Sequence, residues 1–349
     1  MIFVEGKKIS ETSPTYFIAD IAANHDGDIE RAKDLIYKAA QNGADAAKFQ
    51  HFKAKTIVSD VGFKSLDTNS SHQASWEKPV SKVFEDAEID LEWTTQLVET
   101  CKDAGITFMT TPYDLELVSK LNQFVPAFKI GSGDLNWLEI IEKVSRLHKP
   151  IFLATGASEL QEVRQAVDMI SQHTSEIILM QCNTNYTGSD DNFKYINLRV
   201  INSYSKLFPN VILGLSDHTP GHSTVLGAVA LGARVVEKHF TDSNDRIGPD
   251  HKFSMNPKSW SDMVKATREL EDAMGDGIKK VELNEIESSV VQRRGIRAAT
   301  GIQKGQIIQR QDLSVLRPCP KEALGADQIR KVVGTSAVKN FAVGDIISI

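Results

Sequence analysis

Val211-Ile-Leu-Gly-Leu-Ser-Asp-His218 and Arg234-Val-Val-Glu-Lys-His-Phe240 decide the fold of this chain. Each is an apolar run of strand length that ends in polar residues, and Ser223–Gly232 between them reads as a helix. A strand–helix–strand unit of this kind runs its strands in parallel through a right-handed crossover. His218 and His239 then fall near the carboxyl ends of parallel strands, where α/β folds collect ligands and metals. Imidazole is a common ligand of zinc and of first-row divalent cations. A pair placed this way reads as a metal site. The alternative is two histidines that only cap strands or bond the backbone.

The same alternation extends in both directions. Strands are predicted at Tyr16–Ile21, Ala46–Phe52, Thr107–Thr111, Ala127–Gly131, Pro150–Thr155 and Glu176–Cys182, ahead of Val211–Leu215 and Arg234–Phe240. Helix-like stretches lie between them, among them Ile29–Gln41, Leu91–Ala104, Trp137–Leu147 and Leu160–Gln172. A last helix, Pro257–Met274, begins with proline and stops before Gly275, as helix start and stop signals require. Eight such units within residues 1–275 predict a (β/α)8 TIM barrel, which takes ~250 residues. The rival is a doubly wound open sheet, but no Gly-x-Gly-x-x-Gly follows any strand, and Gly131-Ser-Gly133 alone is a weak signal. Lys53 to Asp90 is too long for an ordinary barrel loop and carries Ser70-Ser71-His72-Gln73 near its middle. It reads equally as a lid over the barrel mouth or as surface decoration.

Composition changes after Asp276. Residues 276–296 are polar and charged and read as a linker. Residues 297–349 read as a small β module of short pieces punctuated by glycine: 301–305, 306–308, 313–316, 339–343 and 344–349. Ile302-Gln-Lys-Gly-Gln-Ile-Ile308 is echoed by Phe341-Ala-Val-Gly-Asp-Ile-Ile347. A module this small buries little core alone and is expected to pack on something, such as a partner subunit.

Bulk properties exclude several classes. The 349 residues are 41% hydrophobic and carry a net charge of -6, which argues against general nucleic-acid binding. Three cysteines, an odd number spread far apart, argue for a reducing compartment. The amino terminus lacks the apolar stretch of a signal peptide, and no segment approaches the ~18 apolar residues of a membrane span. A cytoplasmic protein with no membrane partner is expected.

The strand ends carry the candidate chemistry. Lys48 and Lys129 interrupt apolar strands, and a buried ammonium is expensive unless an anion meets it. That anion is read as a bound phosphate or carboxylate, because Thr111, Gly131, Ser132 and Gly133 offer small donors and exposed amides beside the lysines. A core carboxylate such as Asp20 is the alternative. Asp20 and Asp134 read either as acid and base or as groups that orient the lysines. Asn24-His25-Asp26-Gly27 reads as a turn or as part of the site. Ser216 and Asp217 are placed to orient His218, and Asp250 sits on a loop after the last strand, where polar groups reach a substrate.

Taken together, Ala23-Asn24-His25-Asp26-Gly27, Lys48-Phe-Gln50, Lys129-Ile-Gly-Ser-Gly133, Gly214-Leu-Ser-Asp-His218, Lys238-His-Phe-Thr-Asp242, Gly248-Pro-Asp250 and Phe253-Ser-Met-Asn-Pro257 resemble the sialic acid synthase family over nearly the whole chain. The tail resembles the antifreeze-like (SAF, β-clip) domain that closes those synthases, with Leu316-Arg317-Pro318 as its recognisable element. The resemblance implies that His218 and His239 bind Mn2+, with Mg2+ or Co2+ as alternatives. It implies that Lys48, Thr111, Lys129, Ser132 and Ser216 hold phosphoenolpyruvate, with Gln50 in the same substrate-binding set. Asn185, Tyr186, Asp250 and the insertion would face an N-acyl hexosamine of the N-acetylmannosamine type. Asp20, Lys48, Lys129 and Asp134 would be the catalytic groups of the barrel. Arg317 would join them from the tail of the other subunit in a domain-swapped homodimer.

The resemblance is uneven in detail. Many family members have Glu where this chain has Asp20 and Asp134, a serine where it has Ala154, and a different order at Asn183-Thr184-Asn185. These departures suggest a legionaminic or pseudaminic acid synthase, using a 2,4-diacetamido-2,4,6-trideoxyhexose, as a second reading. A non-catalytic carbohydrate-binding barrel is a third.

Overall fold

Eight parallel strands form one sheet, in the spatial order β5-β4-β3-β10-β9-β8-β7-β6. They are β3 (Tyr16–Asp20), β4 (Ala46–His51), β5 (Thr107–Pro112), β6 (Phe128–Ile130), β7 (Ile151–Ala154), β8 (Ile177–Cys182), β9 (Ile212–Asp217) and β10 (Val235–His239). The edge strands β5 and β6 lie against each other, so the sheet is a nearly closed (β/α)8 barrel. The computed structural model describes residues 1–66, 73, 76 and 78–349. Of the Ser70-Ser71-His72-Gln73 stretch, only Gln73 is among them.

Side-chain alternation divides every strand between two cores. Tyr16, Ile18, Ala46, Met109, Ala127, Phe152, Ile178, Met180, Ile212 and Val235 point inward and pack with one another. Phe17, Ala19, Ala47, Phe49, Phe108, Phe128, Leu153, Leu179, Leu215 and Val236 point outward and pack against the helices. Both faces are buried, which is why the strands read as nearly continuous apolar runs. A hairpin of β1 (Ile2–Val4) and β2 (Lys7–Ile9) puts Ile2, Val4 and Ile9 into the inward core and stoppers the amino-terminal end of the barrel.

The surrounding helices are those the apolar spacing predicts. Ile29–Gln41, Leu91–Ala104 and Pro257–Met274 run between the bounds read from sequence. Asp28, Asp90 and Asn256 cap their first turns. The insertion between β4 and the 91–104 helix holds three short helices, Ala54–Ile57, Asp60–Ser65 and Val80–Asp86. Glu88 pinches its base, accepting from Ala54 N at 2.7 Å and pairing with Lys53 Nζ at 2.9 Å.

The chain divides into two compact units, Met1–Gly275 and Asp276–Ile349. Within 276–296 lie a helix, Ile286–Val291, and the start of a strand. In the second unit β11 (Gly295–Ala298) pairs antiparallel with β12 (Leu313–Leu316). The other short pieces make single bridges, because the turns between them leave no room for a ladder. The two echoed phrases face each other there. Ile302 and Phe341 exchange both backbone hydrogen bonds, at 3.0 and 2.9 Å. Each phrase then turns at a glycine of positive φ, Gly305 (84°) and Gly344 (91°). The repeat is a local symmetry that puts Ile302 and Ile308, and Phe341 and Ile347, into one small core.

Among the described residues, no helix is long and apolar enough to cross a membrane.

Candidate active site

Register sets the first row of the site. Across β4, β3 and β10, Lys48 stands opposite Asp20, and Asp20 opposite His239. Partners in a parallel sheet share a face, so all three point inward at the carboxyl end of the barrel. Glu237, two residues before His239, points inward with it and stands opposite Ser216.

Four buried charges meet there. Lys48 Nζ lies 2.7 Å from Asp20 Oδ2 and 3.7 Å from Glu237 Oε1. Lys129 Nζ lies 3.1 Å from the same Glu237 oxygen, to which Ser216 Oγ also donates at 3.4 Å. Gln50 Nε2 and Ala22 N donate to Asp20, each at 3.1 Å. Burial pushes the Asp20 carboxyl up, but Lys48 and the other cations around it hold it below its ordinary value. Burial pulls Lys48 down, and Asp20 and Glu237 more than reverse that. Asp20 and Lys48 thus stay an ion pair, and the cluster sets two lysines against two carboxylates. Such clusters add little net stability, because desolvation cancels their attraction. Their use is preorganisation: the charges an incoming anion needs are already in place.

The salt bridge to Asp20, one of the two partners the sequence left open for Lys48, is present. Asp134 does not orient the lysines. It has no ion pair, one of its oxygens is buried without a partner, and burial alone pushes its carboxyl up to about 6. Glu237 has the orienting place instead. It was missed because it sits in an apolar run beside the more conspicuous Lys238 and His239. Counting back two residues from His239 finds it.

Asp217 corrects a second expectation. It does not orient His218. Asp217 points outward, where it bonds Lys238 Nζ and accepts from Thr219 and Thr224, each at 2.8 Å. His218 is oriented by Asn183, whose carbonyl lies 2.8 Å from its Nδ1. A carbonyl only accepts, so Nδ1 carries a proton. Burial pulls this ring down, but Cys182 and the Asn183 carbonyl more than reverse that and hold its ionisation above the ordinary histidine value.

The two imidazole rings lie 5.3 Å apart. His239 Nδ1 is buried without a hydrogen bond, and burial pulls this ring down to about 3, leaving it neutral. Asp20 and Asp250 stand near it at 3.6 and 3.9 Å, beyond hydrogen-bond range. Among the described residues, no group of three or more His, Cys, Asp or Glu side chains converges to hold a metal. The unpartnered Nδ1 of neutral His239 and the ring of His218 beside it fit a divalent cation, which would hold His218 in its neutral form.

A cavity of about 330 Å³ opens over these groups, lined by both lysines, both histidines, Gln50, Thr111, Ser132, Tyr186, Ser216 and Asp250. Among the described residues, Thr111 Oγ1 and Glu237 Oε2 of this lining are buried without a hydrogen-bond partner, as is Asp134 Oδ2 beside it. Ser132 Oγ accepts from Gly156 N at 2.9 Å, which leaves its own proton to donate. The Tyr186 ring packs at a tilt against His218 at 4.3 Å and Phe253 at 5.5 Å. Beyond lies a wider cleft of about 1780 Å³, lined by Asn185 and by Gln73 and Trp76 of the insertion. The insertion is thus a wall of the cleft. Asn24 has a structural role, its amide donating at 2.9 Å to Phe240 O and Ser254 Oγ. Asp250 is fixed by Ala23 N at 3.1 Å. Arg317 lies in the second unit, exposed, with its Nε donating to Gln292 O at 2.6 Å.

Comparison with known proteins gives a consistent picture. The model of the NeuB family matches residues 35–279. N,N'-diacetyllegionaminic acid synthase of Campylobacter jejuni is 35% identical over 340 residues, 95% of this chain and 98% of its own. N-acetylneuraminate-9-phosphate synthase of Homo sapiens is 30% identical over 345 residues, 98% of this chain and 94% of its own. Among solved structures, N-acetylneuraminic acid synthetase of Leptospira borgpetersenii, in complex with citrate, aligns with a TM-score of 0.71 at 26% identity. That alignment covers 82% of this chain and 94% of the other.

Proposed function

The chain belongs to the NeuB family, and from that premise we propose that it is a nonulosonic acid synthase. It joins phosphoenolpyruvate to the open-chain form of an N-acyl amino sugar and releases phosphate. The observation that carries the reading is the buried pair Lys48 and Lys129, held by Asp20 and Glu237 in a cavity also lined by His218 and His239.

Each group then has a task. Lys48, Lys129, Thr111, Ser132 and Ser216 bind the phosphate and carboxylate of phosphoenolpyruvate, Thr111 through the hydroxyl that has no protein partner. Gln50, Asn185, Tyr186 and Asp250 position the sugar. The enol carbon bonds to the aldehyde carbon, water adds to the cation left at C2, and phosphate departs from C2. Asp134, with a carboxyl near neutrality, delivers a proton to the new hydroxyl, and Asp20 receives one from the water. A divalent cation on His218 and His239, Mn2+ with Mg2+ or Co2+ as alternatives, would supply Lewis-acid polarisation of the aldehyde.

For the acceptor, the higher identity to the Campylobacter jejuni relative favours a 2,4-diacetamido-2,4,6-trideoxyhexose over N-acetylmannosamine. The reading extends to the tail as an antifreeze-like module that brings Arg317 to the site of the other subunit in a homodimer. Phosphate release from phosphoenolpyruvate with Mn2+, measured across both acceptors with product mass read out, tests the proposal. Release with the diacetamido sugar and a product of matching mass is expected. Release only with N-acetylmannosamine would reverse the acceptor assignment. No release with any acceptor would overturn the synthase reading in favour of a carbohydrate-binding barrel.

A further inference from the structure

Tyr113 directly follows β5, and nothing above gives it a task. Its N–H donates to His51 O at 3.0 Å, so the residue begins from fixed backbone. Its ring stands edge-on to Phe52 at 6.0 Å, and Phe52 in turn meets Phe84 of the insertion at 5.3 Å. Tyr113 lines the 330 Å³ cavity. Its Oη lies 3.2 Å from where a β-carbon on Gly131 would stand. Gly131 has φ -70° and ψ 154°, a backbone any residue adopts. It is glycine for the room this gives the phenol, not for conformational freedom.

Around Gly131 in the cavity lining, Lys129, Ser132 and the unpaired Thr111 Oγ1 are donors, and the carboxylates of Asp20 and Asp134 lie near enough to act on the phenol. Among the described residues, Tyr113 Oη has no hydrogen-bond partner in the protein. Burial, then Asp134 and Asp20, push the ionisation of the phenol far above its ordinary range, so the group stays a donor.

We infer that Tyr113 is a substrate-binding residue whose phenol O–H donates to an anionic oxygen of phosphoenolpyruvate, and that Gly131 is glycine in order to admit it. The assignment rests on the synthase reading and deepens it. Ala154 lines the same cavity and offers no donor, and the phenol adds one.

Steady-state kinetics of the full chain, the Tyr113→Phe and Gly131→Ala variants and the double variant test it. Tyr113→Phe keeps the ring and its contacts, so Tm should not move. The KM for phosphoenolpyruvate should rise about tenfold or more, the range for losing a hydrogen bond to a charged group. The KM for the sugar should stay within about twofold of the wild type. Gly131→Ala should weaken phosphoenolpyruvate binding in the tyrosine background and do little in the phenylalanine background. There the new methyl would meet only ring carbons, at 3.6 and 3.7 Å. An unchanged KM for phosphoenolpyruvate in Tyr113→Phe, or a rise confined to the sugar, would overturn the assignment. Equal effects of Gly131→Ala in both backgrounds would overturn the role of the glycine. A wild-type chain that consumes no phosphoenolpyruvate would overturn the synthase reading, and this assignment with it, before any variant is compared.

Discussion

Two buried lysines on opposite faces of the barrel sheet do different things, and the difference is testable. Lys129 faces the cavity with Glu237, whereas Lys238 faces outward and holds Asp217 behind the site. Removing one partner of a buried pair costs about 3–5 kcal/mol. Lys238→Met should therefore lower Tm sharply yet leave both KM values near wild type at a temperature where it is folded. Lys129→Met should abolish phosphoenolpyruvate use. Loss of both KM values in Lys238→Met would show that the outward pair reaches the chemistry. Titration supplies a second test. Burial holds His25 neutral down to about 4 and His51 down to about 3. Their contribution to stability is complete above the unfolded value of about 6.5 and is lost as pH falls toward the folded values. Each should cost about 2 kcal/mol between pH 6.5 and 5. Denaturant melts across that range should show the loss, and His51→Gln should flatten it. Asp134 works in the opposite sense. Its contribution is present below the ordinary carboxylate value and is lost as pH rises through about 6. Asp134→Asn should leave stability little changed near pH 4 and raise it by up to about 3 kcal/mol at pH 7. No gain at pH 7 would mean that the carboxyl finds a partner in solution.

At the scale of the element, the barrel strands were legible because both of their faces are buried and polar residues cluster at one end of each. Position at the strand ends then carried the inference from His218 and His239 to the mouth of the barrel. Period-two alternation, counted back from His239, would have separated inward Glu237 from outward Asp217 and Lys238. Polar residues inside an apolar run draw attention by type before face, and that is why it was not applied. Strand Gly295–Ala298 was hidden for another reason. It is short and follows a charged stretch, and its pairing with Leu313–Leu316 is not a sequence-local property. The insertion was visible only as excess length. Its function as a wall depends on Phe84 meeting Phe52 and Trp76, at 5.3 and 6.4 Å, contacts that no local pattern encodes. Phe84→Ala should raise the KM for the sugar several-fold with a smaller effect on Tm, because the helix Val80–Asp86 buries no residue fully. Unchanged kinetics for both substrates would reduce the insertion to decoration.

At the scale of the molecule, the chain's two units fold around separate cores. Arg317 lies in the smaller one. Arg317→Ala should depress turnover by an order of magnitude or more with no change in barrel stability, and sedimentation should report a dimer. Wild-type kinetics in that variant would remove the tail from the mechanism. The hairpin Ile2–Ile9 has a consequence of its own. With one end of the barrel stoppered, the cavity is a room with a single door, and the smaller compartment lies behind the larger. A guest bound at the back cannot leave while another stands in the doorway. Turnover should accordingly queue, with phosphoenolpyruvate entering before the sugar. A sugar alcohol that fills the doorway without reacting should then inhibit uncompetitively against phosphoenolpyruvate, holding the first guest in place.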